Sequence, residues 1–152
     1  MPNWCNNTVK IFGSKEKIKA LWEGAQTNGL LNTMVPIGEW EYDLAIGLWG
    51  TKWDVQMDGW EYEEDDHTAS ITGYIDTAWS PPVKAFETYH RAGNEDVFLD
   101  LYYFEPGLCF TGYWTCAGIH DYFEYDEEEL DAIPSYLREH WNIEELYEEM
   151  VD

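Results

Sequence analysis

The feature that most restricts how this chain can fold is its charge imbalance, with 31 Asp and Glu residues against eight Lys and Arg. At a formal net charge of -23, self-repulsion opposes a compact state. Yet the 152 residues are 45% hydrophobic and 17% aromatic, which is too much buriable surface for a disordered acidic tail. We therefore expect one folded domain with a substantial core, and its negative field disfavours direct binding to nucleic acid.

The carboxylates are concentrated in two segments. Residues 39–76 carry eleven acids against Lys52, and residues 121–152 carry thirteen against Arg138, so these segments hold 22 of the 23 net negative charges. No Ser/Gly-rich linker or internal repeat divides the chain. We predict a ferredoxin-like domain over residues 1–125 and an acidic helical tail over residues 126–152 that packs on the same domain.

The sequence contains no recognisable membrane or targeting segment. No apolar run approaches the roughly 18 residues of a membrane span, and the first residues lack a charged region followed by an apolar stretch. The chain has three cysteines, an odd number that cannot all pair in disulfides, and we expect reduced thiols. These features predict a cytoplasmic protein that has no membrane partner.

Alternating apolar residues predict an antiparallel sheet. The strongest pattern runs from Val97 to Phe104, and Glu105-Pro106-Gly107 turns it into an antiparallel partner. Further strand patterns lie at residues 8–12, 68–75, 108–116 and 119–125. Residues 32–66 show no clear period and are expected to form short strands and excursions.

Helical spacing occurs between these strands and in the tail. It predicts one helix between Ser14 and Gly29 and another from a Ser80 cap to Gly93. In the tail we expect a helix over 127–133, a break at Pro134, and a last helix capped by Asn142. The element order predicts an α+β fold: a ferredoxin-like antiparallel sheet with helices on one face, an extra hairpin and an acidic C-terminal helical tail.

Several ordered blocks of distinctive residues run through the first three quarters of the chain. They are Met1-Pro2-Asn3-Trp4-Cys5-Asn6-Asn7-Thr8-Val9, Val35-Pro36, Trp49-Gly50-Thr51-Lys52-Trp53-Asp54, Thr77-Ala78-Trp79-Ser80-Pro81-Pro82, and Tyr103-Phe104-Glu105-Pro106-Gly107. Together these blocks resemble the YubB ferredoxin-like domain family, whose members come from phages and plasmids. The resemblance covers roughly residues 2–118 and implies a ferredoxin-like fold and a mobile-element origin. It supplies no catalytic residues.

The acidic tail carries the main functional hypothesis. Carboxylates four residues apart share one helix face, and like charges so placed cost about 0.2–0.5 kcal/mol per pair. Such a row, with aromatic residues interleaved, can imitate the charge of a nucleic-acid backbone and occupy a basic surface. The simpler interpretation, a solvated face that keeps an aromatic-rich domain soluble, stays open. The predicted partner-binding residues are Glu127, Glu128, Trp141, Glu144, Glu145, Glu148 and Glu149.

From this pattern we predict a non-catalytic phage or plasmid accessory protein. It would bind and inhibit a host nucleic-acid-binding or antiviral defence protein, so the expected partner is a host protein with a basic surface. The chain itself is expected to be a monomer or a homodimer. Because the sequence has no nucleophile, phosphate-loop, dinucleotide or metal-ligand pattern, we predict no enzymatic activity, no cofactor and no metal site.

The alternative hypothesis is a protein that binds or sequesters a small nucleotide-like ligand. Aromatic rings that stack on a base and a nearby cation would serve this function. The simpler interpretation is that both tryptophans pack under the sheet while the lysine and the aspartate pair or cap a turn. The residues concerned are Trp49, Lys52, Trp53 and Asp54.

Overall fold

One antiparallel sheet of six strands organises the computed structural model, which describes residues 3–55 and 59–150. The strands are β1 Trp4–Ser14, β2 Glu61–Glu64, β3 Thr68–Ala78, β4 Phe98–Glu105, β5 Phe110–Thr115 and β6 Ile119–Glu124. Their order is β2-β3-β1-β4-β5-β6. The first four strands give the ferredoxin-like β-α-β-β-α-β arrangement, and β5 and β6 extend it beyond β4 as the extra hairpin. The predicted α+β fold with an antiparallel sheet is confirmed.

Four helices and one face of the sheet enclose the main core. These helices are α1 Lys15–Asn28, α2 Leu30–Met34, α3 Tyr42–Trp49 and α4 Val83–Arg91. Alternate residues of the central strands point into this core, including Ile11 of β1 and Leu99 and Leu101 of β4, all fully buried. The predicted helices after Ser14 and after Pro82 are confirmed as α1 and α4.

The structure corrects the predicted cap of α4. Pro82, rather than Ser80, precedes the first residue of this helix. The Ser80 hydroxyl donates instead to the Gly50 carbonyl at 2.5 Å, which ties the end of α3 to the start of α4.

Part of the segment without a clear period is helical. Residues 32–66 contain the end of α2, all of α3 and the short strand β2. In α3 the buried residues are Ala45 and Trp49, one turn apart, and Gly50 ends the helix at a φ of 84°. Nearly every residue of this short helix is apolar, so no polar face marks a helical period in its sequence.

The tail lies on the opposite face of the sheet. It contains a 3₁₀ turn Leu130–Ala132, α5 Ser135–Trp141 and α6 Ile143–Met150. Phe104, which alternates along β4 with the main-core residues, belongs to a second core shared with the tail. The buried members of this second core are Phe104, Tyr125, Ile133, Leu137, Ile143 and Tyr147.

The last helix, α6, begins directly after Asn142 as expected, whereas the earlier part of the tail differs from its predicted limits. The helix expected over 127–133 is reduced to the 3₁₀ turn, and α5 begins directly after Pro134. Asn142 has a φ of 51°, in the left-handed region, whereas an N-cap residue is extended. It ends α5, and its carbonyl accepts the Leu146 N–H at 3.0 Å, so it joins two helices rather than closing a capping box.

A helix long and apolar enough to cross a membrane does not occur in the described part of the chain.

Candidate functional site

Three neighbouring clefts near the C-terminal end are lined mainly by carboxylates. The first and second, of about 560 and 530 Å³, share Glu144 and Glu148. The second shares Glu127 and Glu128 with the third, of about 570 Å³. The continuous surface so formed, here called the acidic surface, carries the carboxylates of Glu124, Asp126, Glu127, Glu128, Glu129, Asp131, Glu139, Glu144, Glu145 and Glu148.

Five of the seven predicted partner-binding residues lie on this surface. Glu149 is exposed on α6 but does not line the clefts. The indole of Trp141 packs beneath the tail instead, with ring centroids 5.9 Å from Phe104 and 6.3 Å from Tyr74. A large aromatic ring is stabilised more by packing on the second core than by standing among solvated carboxylates.

Arg138 is the one cation among the described residues that line the acidic surface. Its guanidinium lies 2.5 Å from the Glu144 carboxylate and 3.8 Å from that of Asp131. Its Nε–H donates to the Ile133 carbonyl at 2.8 Å, which fixes the guanidinium between the 3₁₀ turn and α6. One positive charge leaves most of this group of carboxylates uncompensated, so the surface keeps a strongly negative potential.

The scaffold beneath the acidic surface is well packed. Ile133, Leu137 and Ile143 are fully buried against the sheet. The hydroxyls of Tyr125 and Tyr147 share a buried hydrogen bond of 2.5 Å, which links the end of β6 to α6. The carboxylates are thus held on fixed elements of the fold.

Two of the four residues of the alternative ligand site have structural roles. Trp49 is buried, and its indole N–H donates to the Val35 carbonyl at 2.9 Å. Asp54 accepts the N–H groups of Leu31 and Asn32, at 2.8 and 2.9 Å, and so caps the start of α2. Burial raises the pKa of Asp54, and its backbone hydrogen bonds act in the opposite direction.

The tight contact at Asp54 explains the glycine between α1 and α2. A Cβ at Gly29 would collide with the Asp54 carboxylate, and the φ of 91° at this position is one that side chains rarely adopt. Gly29, which the sequence predicts as the end of the first helix, therefore also makes room for the cap of the next helix.

The other two residues of the alternative ligand site, Lys52 and Trp53, lie at the surface. The Lys52 ammonium stands 4.5 Å from the centroid of the Trp53 ring. Trp53 is about two-fifths exposed, and its ring centroid lies 6.1 Å from that of Trp4, at a tilt of 42°. These two indoles line a cleft of about 600 Å³, here called the aromatic cleft, together with Asp54, Tyr74, Ile75, Asp76 and Ala78.

Sequence reasoning identified Trp53 but missed its partners Trp4, Tyr74 and Asp76. They come together because β1 pairs antiparallel with β3, with Trp4 opposite Ala78 and Asn6 opposite Asp76. In this register the even-numbered residues of both strands share the face that carries the tail. Period-2 alternation was the available signal, but it gives no pairing register.

Two of the three cysteine thiols, those of Cys5 and Cys109, lie in surroundings that disfavour the thiolate. All three cysteines are free thiols, and burial raises the pKa of both Cys5 and Cys109. Thiols in such surroundings stay protonated. Among the described side chains, His, Cys, Asp and Glu form no group of three or more arranged to hold a metal ion.

No protein-family model matches the sequence, and no curated protein matches it. Among solved structures, the chain is similar to the crystal structure of a protein api92 from Yersinia pseudotuberculosis, which carries the family-model description DUF1281. The sequence identity is 22% and the TM-score is 0.38. The likeness covers 56% of this chain and 30% of that protein, so the chain spans less than a third of its length.

Proposed function

We propose that this chain is a non-catalytic phage or plasmid accessory protein that inhibits a host nucleic-acid-binding or defence protein by occupying its basic surface. The observation that carries the proposal is the convergence of carboxylates from the end of β6, the 3₁₀ turn and α6 on one continuous surface. Arg138 is the sole cation among its described lining residues.

The energetics of this surface favour a cationic partner. Glu144 with Glu148, and Glu145 with Glu149, are like-charge pairs one turn apart on α6, each costing about 0.2–0.5 kcal/mol. A basic surface that covers them replaces this repulsion with attraction. The field of a chain with net charge -23 also accelerates encounter with a cationic protein.

The resemblance to the YubB ferredoxin-like family supports the mobile-element part of the proposal. Nucleic-acid-binding proteins present basic surfaces of the kind that an anionic protein can occupy. A negatively charged decoy would therefore suit an element that must survive host proteins acting on nucleic acid. The acidic surface is the physical basis of the proposal.

Affinity capture with charge-matched variants tests this function. The acidic-surface variant carries E127Q, E128Q, E144Q, E145Q, E148Q and E149Q. The control variant also loses six negative charges, but at exposed positions outside the acidic surface, through E16Q, E23Q, E39Q, E41Q, E61Q and E63Q. Wild-type protein and both variants are immobilised, exposed to a bacterial lysate at low salt, and eluted first with duplex DNA and then with salt.

We expect wild type and the control variant to retain the same proteins, and duplex DNA to release them. The acidic-surface variant should retain them at least about tenfold less, because several charge-assisted contacts are lost. Equal retention by both variants would refute the role of the acidic surface. Proteins that duplex DNA does not release would refute occupation of a nucleic-acid site.

The alternative function, sequestration of a nucleotide-like ligand around Trp53 and Lys52, has weaker support. The cleft beside Trp53 is lined by the carboxylates of Asp54 and Asp76, and Lys52 is not among its lining residues. A phosphate group would meet repulsion there.

A further inference from the structure

The aromatic cleft leaves two indole rings partly in water at one end of the sheet. Trp4 is 43% exposed and Trp53 is 38% exposed, and their centroids are 6.1 Å apart. The rings are tilted by 42°, so together they form two walls of a concave site rather than a closed stack. The cleft volume of about 600 Å³ is large enough for a small organic group.

The described lining of the aromatic cleft also includes the phenol of Tyr74 and the carboxylates of Asp54 and Asp76. Asp76 is exposed on β3, two residues from Tyr74. Burial and the charge of the Asp76 carboxylate raise the pKa of Tyr74. The Tyr74 hydroxyl therefore stays protonated in the presence of the Asp76 carboxylate. Asp54 already accepts three backbone N–H groups, so Asp76 is the carboxylate that can pair with a ligand.

The electron-rich face of an indole attracts a cation, and Trp53 already shows this attraction. The Lys52 ammonium lies 4.5 Å from its ring centroid, within the range of a cation–π contact. Lys52 is not among the residues that line the cleft, which include no Lys or Arg in the described part of the chain. The cleft thus combines aromatic walls with the Asp76 carboxylate, and its described lining residues include no cationic side chain.

We propose that the aromatic cleft binds an organic cation of the alkylammonium or guanidinium class. Trp4 and Trp53 would pack on the cationic group, and Asp76 would supply the counter-charge. The cation can come from a free small molecule or from a Lys or Arg side chain of a protein. The proposal is independent of the proposed function because the cleft shares no lining residue with the acidic surface.

Titration with matched ligands tests the proposal on the intact protein. The probes are choline, its neutral carbon isostere 3,3-dimethyl-1-butanol, and N-acetyl-arginine amide. Binding is followed by ¹H–¹⁵N spectra of the tryptophan indoles, with the Trp4 and Trp53 signals assigned from Trp4→Phe and Trp53→Phe. We expect the cations to shift these two signals and to bind about tenfold more tightly than the neutral isostere.

The variants separate charge from shape. Asp76→Asn preserves the shape of the cleft and should weaken cation binding about fivefold, with little effect on the neutral isostere. Tyr42→Leu changes an exposed ring on α3 outside the cleft lining and should leave binding unchanged. Tighter binding of the arginine amide than of choline would assign the cleft to a protein side chain, and the reverse would assign it to a free cation.

Two results would overturn the proposal. One is equal affinity for choline and its neutral isostere, which would make the cleft a simple apolar site. The other is the absence of any shift in the Trp4 and Trp53 indole signals with either cation, together with identical spectra for Asp76→Asn and wild type at the same cation concentrations.

Discussion

Arg138 is the cation around which the acidic surface is built, so replacing it with glutamine should destabilise the protein measurably. Its Nε–H bond to the buried Ile133 carbonyl is charge-assisted and contributes about 1.5 kcal/mol. The ion pair with Glu144, whose side chain is 58% exposed, adds about 0.5 kcal/mol. The Asp131 carboxylate is fully exposed, so its contact with Arg138 contributes no measurable stability. The expected loss is about 2 kcal/mol, equivalent to a Tm lower by about 4–8 °C for a domain of this size.

Urea denaturation followed by circular dichroism measures this loss. We expect Arg138→Gln to lower the unfolding free energy by about 2 kcal/mol at about 0.1 M NaCl and by about 1.5 kcal/mol at about 1 M, because salt screens the ion pair but not the backbone hydrogen bond. Arg91→Gln removes the same charge from an exposed position at the end of α4 and should change stability by less than about 0.5 kcal/mol. Equal stabilities for Arg138→Gln and Arg91→Gln would refute this account of the tail.

Three further changes test other parts of the structure. Gly112→Ala should destabilise the domain by about 1–3 kcal/mol in thermal unfolding, because the new methyl group would collide with the buried ring of Tyr103. Leu137→Ala should cost about 2–5 kcal/mol in the same assay, because this fully buried side chain fills the second core. Partial burial lowers the pKa of His140 in the folded protein below its ordinary value of 6.5. The neutral imidazole therefore contributes to stability above pH 6.5, and this contribution is lost as the pH falls from 6.5 through the lowered pKa. His140→Gln should flatten that part of the stability profile, and an unchanged slope between wild type and variant would contradict the placement of His140.

Five of the six strands and the helices α1 and α4 could be predicted from the sequence because each of them has an internal period. The alternation from Val97 to Phe104 predicted the strand β4, and the spacing after Ser14 predicted α1 up to Gly29. The tail was harder because its segments are short. The sequence predicts a helix that ends at Pro134, whereas Pro134 directly precedes the first residue of α5, where its missing N–H interrupts no helical hydrogen bond.

The sites were only partly predictable, since each depends on tertiary contacts. The i,i+4 spacing predicted that Glu144 and Glu148 share a face, but not that Glu127 and Glu128 would meet them. That meeting requires the bend at Asn142 and the Arg138 contacts, which local periodicity does not report. Trp53 could likewise be singled out by composition alone, whereas its partner Trp4 depends on where the 51–55 loop lies against the sheet.

The most direct measurement of the central claim is the salt dependence of binding to a purified protein captured as described above. Isothermal titration across a range of NaCl concentrations gives the slope of log Kd against log salt for wild type, the acidic-surface variant and the control variant. The account predicts a steep slope for wild type and the control variant, and a much shallower slope with weaker binding for the acidic-surface variant. A Kd that does not change with salt, or one that both variants alter equally, would contradict it.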